Sequence, residues 1–67
     1  MINIVWVKES ATIETFEIRN YLFKRKQVAG VIIYEIWKAE ELIFKTTQDS
    51  EFIKNVDALF EYRIWDR

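Results

Sequence analysis

Residues Val31–Trp37 read VIIYEIW. Six of the seven are large and apolar, the stretch follows the only glycine, Gly30, and it lacks strict alternation. A strand of this kind expects cover on both faces. It therefore reads as the central strand of a small sheet.

Downstream, Lys38–Glu41 (KAEE) is a turn candidate and Leu42–Thr46 (LIFKT) a short strand. The turn has no Gly, Asn or Asp, which points to type I geometry or a longer loop. Next comes the clearest helix of the chain. Asp49 or Ser50 is its expected cap, and Glu51 sits in the first turn, where the helix dipole favours an anion. Phe52, Ile53, Val56, Leu59, Phe60 and Ile64 fall on one apolar face, while Lys54, Asp57, Glu61 and Arg63 point to solvent.

Upstream, Val28–Gly30 connects to the central strand, with Gly30 available for a bulge or a positive-φ corner. Thr12–Gln27 has two readings. As a helix it would leave Glu17, Asn20, Lys24 and Arg25 where an apolar stripe is needed. As a hairpin turning at Arg19–Asn20 it sets Ile18 against Tyr21, Phe16 against Phe23 and Glu14 against Arg25, which are stabilising cross-strand pairs. The other face then carries Thr15 opposite Lys24 and Glu17 opposite Leu22. The hairpin is preferred, although Arg is not a favoured residue of a type I′ turn. Ile2–Val7 (INIVWV) reads as a first strand with Ile2, Ile4 and Trp6 on one face. The expected fold is α+β: a small antiparallel β-meander of four to five strands with one C-terminal helix packed on one face. The alternative is β-α-β-β-α.

Sixty-seven residues are expected to form a single domain (1–67). Folding at this size buries about 60% of the surface of the unfolded chain, so stability is marginal. Cysteine and histidine are absent, which removes disulfides, thiolate–zinc sites and the commonest general base. Half the residues are hydrophobic, 16% are aromatic and three are tryptophan. So many large side chains in so small a domain should leave apolar surface, and such surface marks interfaces. A homodimer is therefore expected. The net charge of −1 argues against a dedicated polyanion binder. No apolar run approaches the roughly 20 residues that cross a bilayer, and the first residues do not look like a signal peptide. A cytoplasmic location without membrane contact is expected. Ten isoleucines and no proline are compatible with an AT-rich genome, such as that of a low-GC bacterium or its phages.

No constellation points to catalysis, a metal or a cofactor. Glu35, inside the apolar strand, would be a carboxyl of raised pKa if buried alone, or an ion-pair partner of a neighbouring Lys or Arg. Serine and threonine lack a partner base, and one glycine cannot make a phosphate cradle. Trp6, Tyr34, Trp37 and Trp65 are the candidate protein-binding residues, since large amphipathic aromatics dominate binding hot spots. Arg19, Tyr21, Phe23, Lys24, Arg25 and Lys26 form the one basic–aromatic cluster. On a strand they could make a platform for single-stranded nucleic acid. The meander-then-helix order is similar in layout to dimeric single-strand binders of the Pur and Whirly type, and layout does not fix function. The expected function is a non-enzymatic protein-interaction module, a regulator or inhibitor of a cellular protein. A dimeric regulator binding single-stranded nucleic acid is the alternative.

Overall fold

A computed structural model describes residues 3–61. The expectations for Ile2, Arg63, Ile64 and Trp65, and for the side chain of Glu61, lie outside the described residues.

The elements run β1 (Val7–Lys8), β2 (Ile13–Ile18), β3 (Tyr21–Val28), β4 (Val31–Lys38), β5 (Glu41–Thr46) and α1 (Asp49–Glu61). The strands form one antiparallel meander in the order β1-β2-β3-β4-β5. This is the expected α+β fold with Thr12–Gln27 in its hairpin form. The β2–β3 register is Ile18↔Tyr21, Glu17↔Leu22, Phe16↔Phe23, Thr15↔Lys24 and Glu14↔Arg25.

Three two-residue turns, at 19–20, 29–30 and 39–40, set that register. Ala29 (φ 51), Gly30 (φ 80), Ala39 (φ 50) and Glu40 (φ 67) all have positive φ, the signature of type I′ turns, which match strand twist. The Lys38–Glu41 turn is thus not type I, as its composition suggests. Strand pairing on both sides forces Ala39 and Glu40 into the left-handed region, at about 1–2 kcal/mol each. At the first turn Arg19 (φ 57), not Asn20, has the positive φ, the type II′ pattern.

Two expectations for the sheet need correction. The middle strand is β3, and β4 lies one place from the edge. Only Tyr34, Glu35 and Ile36 of β4 are buried, whereas Val31 and Ile32 are 48% and 43% exposed. The first strand is Val7–Lys8, which shares only Val7 with the expected run INIVWV. Ile4 and Trp6 still reach the core. Trp6 stacks on Phe52 of α1 at 5.9 Å, so its ring is partly buried against the core without its backbone pairing in the sheet.

The core lies between the sheet and α1: Tyr21, Phe23, Tyr34, Ile36, Phe52 and Val56. Phe23 meets Phe52 and Phe60 edge-on at 5.9 and 6.2 Å, and Tyr34 stacks on Phe52 at 4.8 Å. Such pairs contribute about 0.5–1.5 kcal/mol beyond burial. Neither Asp49 nor Ser50 is the cap. The Phe52 amide bonds to the Gln48 carbonyl at 3.1 Å, which makes Gln48 the capping position. The Gln48 amide in turn donates to Thr46 Oγ1 at 3.1 Å. Asp49 and Glu51 lie in the first turn, where their charge suits the dipole.

Candidate functional site

Side chains alternate across a strand. Because Tyr21, Phe23, Tyr34 and Ile36 face α1, Leu22, Lys24, Lys26, Ile33, Glu35 and Trp37 face the other way. No helix covers this second face among the described residues. The register lays its side chains in cross-strand rows. One row is Glu17, Leu22, Trp37 and Leu42, and the next is Thr15, Lys24, Glu35 and Lys45. A third is Ile13, Lys26 and Ile33, and Val28 opposes Val31 beyond it. Val28, Val31 and Leu42 are 52%, 48% and 40% exposed.

Glu35 is only 3% exposed although no layer lies above it. Its own neighbours close it in. Trp37 Nε1–H donates to Oε1 at 2.9 Å, and Lys26 Nζ lies 3.0 Å from Oε2. Burial pushes the carboxyl pKa up. The Trp37 hydrogen bond and the ammonium groups of Lys26 and Lys24 outweigh it, and the net shift is downward. Glu35 is therefore a fixed anion and not the raised-pKa acid that burial alone would give. Lys24 Nζ sits 5.4 Å from the Trp37 ring centroid, a cation–π contact.

At one end of this face the turns at 19–20 and 39–40 flank a groove of about 550 Å³. Leu22 and Trp37 line it with Lys24 and Lys38.

The candidate residues separate between the two faces. Of Trp6, Tyr34, Trp37 and Trp65, only Trp37 stands on the helix-free face; Trp65 lies outside the described residues. Tyr34 is buried, with its hydroxyl pKa raised by burial and by Asp49, against the opposing effect of Arg25. Trp6 lies between Phe52 and the Arg25 guanidinium, whose central carbon is 4.8 Å from its ring centroid. The basic–aromatic cluster does not form one surface. Tyr21 and Phe23 are 4% and 0% exposed and belong to the core, so neither ring offers a face to a base. Arg25 is paired with Glu14 at 2.6 Å on the helix side, and Arg19 is in a turn. Lys24 and Lys26 alone join Trp37.

Sequence reading missed Leu22, Leu42 and Lys45 as neighbours of Trp37 and Glu35. The β2–β3 register was legible and gave Leu22 its row. Leu42 and Lys45 were hidden by a register shift opposite Ile36/Trp37, which puts Ile43 out of the ladder and brings Leu42 and Lys45 to the same face despite their odd spacing.

Among the described residues no group of three or more acidic side chains is placed to hold a metal ion, and no helix is long and apolar enough to cross a membrane. The chain matches no family model, no curated protein and no solved structure.

Proposed function

We propose that this protein is a non-enzymatic interaction module that regulates or inhibits another protein by docking the helix-free face of its sheet onto it. One observation carries the reading. An antiparallel sheet with one wet face alternates apolar-in and polar-out, yet β4 places Val31, Ile33 and Trp37 on the uncovered side, beside Leu22 and Leu42 of the flanking strands. Burying such side chains contributes about 25 cal/mol per Å² of apolar area. The state of Glu35 supports the absence of acid–base chemistry: its carboxyl is held ionised and closed in by Lys26 and Trp37.

Variants at exposed positions test this without touching the core. Val31→Glu with Leu42→Glu should leave the circular dichroism spectrum unchanged. A protein captured from lysate of the source organism by the wild type should be lost by that variant. Equal recovery by both, or capture by neither, would remove the reading.

Lys24, Lys26 and Lys45 beside Trp37 support a second reading, single-stranded nucleic acid on the same face. Titration with oligonucleotides at two salt concentrations separates the two. Tight binding that weakens steeply with salt favours nucleic acid.

A further inference from the structure

The charges on the helix-free face identify the chemistry of what covers it, given the reading that this face docks. Lys24, Glu35 and Lys45 stand side by side in one row across β3, β4 and β5, with Lys26 beside them. Both oxygens of Glu35 are already engaged, by Trp37 and Lys26. Among the described residues neither Lys24 nor Lys45 forms an ion pair, although Lys24 lies over the Trp37 ring and its charge acts on Glu35. A surface that covers the apolar residues also shields part of these two ammonium groups from water, which costs free energy unless it brings carboxylates to them.

That requirement counts against a second copy of this chain. Each face brings Lys24, Lys26 and Lys45 against Glu17 and Glu35. Doubling a net positive face leaves it positive, and Glu35 is closed in. The requirement alone is compatible with a nucleic acid, but the apolar residues are not. Leu22, Val31, Ile33 and Leu42 offer no ring to stack a base, and Trp37 is the only aromatic in these rows. Aliphatic side chains beside lysines that have no carboxylate of their own, as Lys26 has in Glu35, fit a protein segment that is both apolar and acidic.

We propose that the helix-free face binds an acidic amphipathic protein segment. Its aliphatic side chains lie on Leu22, Trp37 and Leu42, and its carboxylates pair with Lys24 and Lys45. This rests on the docking reading and adds the partner's chemistry to it.

The test uses the whole chain and three probes, followed by amide and indole NMR shifts. The first is a synthetic 18-residue helical peptide with a leucine face flanked by glutamates. The second carries lysines in place of the glutamates, and the third is an oligothymidylate. The acidic peptide should shift Leu22, Trp37 and Leu42 and bind about fivefold more tightly than the basic one, as two partly exposed ion pairs allow. Lys24→Glu with Lys45→Glu should reverse that order. Should Lys24→Glu disturb Glu35, Lys45→Glu alone, on the exposed edge strand, should narrow the ratio. Equal binding of both peptides overturns the acidic partner but leaves the docking face standing. Shifts confined to α1, or no binding of either peptide, overturn both. Tighter binding of the oligothymidylate names nucleic acid instead, and wild-type self-association that protects the same amides names a second copy; either overturns the proposal.

Discussion

Glu35 is held ionised in a place where an unpaired carboxylate would be expelled, and its supports can be removed one at a time. Lys26→Met leaves the buried anion without its ion-pair partner and should destabilise the fold by about 1–3 kcal/mol. NMR titration of the same variant should show the Glu35 pKa rising. Adding Glu35→Leu to Lys26→Met should recover most of the loss, because replacing both members of such a pair by apolar groups is close to neutral. Urea denaturation of the three proteins checks this. The pH dependence has a definite sign. The folded-state pKa of Glu35 is lowered, so the unfolded chain takes up the proton first. Its contribution is fully present above the unfolded value of about 4.3 and is lost as pH falls through the lower folded value. Wild type should lose stability between pH 5 and pH 3 more steeply than Glu35→Gln, in denaturation curves measured at each pH.

The turns and the helix are the elements where local chemistry and global structure disagree or agree most plainly. Glu40 holds φ 67 without being glycine. Glu40→Gly should remove that strain and stabilise the protein by about 0.5–1 kcal/mol after the entropy of glycine is counted. The thermal midpoint should rise by several degrees. In the opposite direction, Phe52→Ala empties the centre of the aromatic cluster and should cost about 3–5 kcal/mol, a large part of what a chain of this size has. Calorimetry or denaturant melts read both. The hairpin at 12–27 was legible because Ile18/Tyr21, Phe16/Phe23 and Glu14/Arg25 pair well by type and by distance from the turn. The helix was legible from the spacing of Phe52, Val56 and Leu59. The turn at 39–40 was not, since Ala and Glu carry no preference for positive φ and the geometry comes from the strands they join. The extent of β1 was not, because the pattern of Ile4 and Trp6 reports which way side chains point, not whether the backbone is paired. The separation of Lys24 and Lys26 from Tyr21 and Phe23 follows from alternation alone, and the basic–aromatic cluster divides as soon as the segment is a strand.

At the scale of the molecule, every strand pairs with its neighbours in sequence, and the turns recur ten residues apart. Each hairpin can therefore close as soon as its second strand exists, without waiting for a distant partner, which favours rapid folding. The layer that roofs the sheet comes from residues 49–61, after all five strands. Without residues 49–61 the sheet loses that cover, and Tyr21, Phe23, Tyr34 and Ile36 become wet on one side while Val31, Trp37 and Leu42 are wet on the other. A chain stopped at Gln48 should precipitate more readily, or bind a hydrophobic dye more strongly, than the longer chain; equal behaviour of the two would mean that α1 is not the cover of the aromatic core.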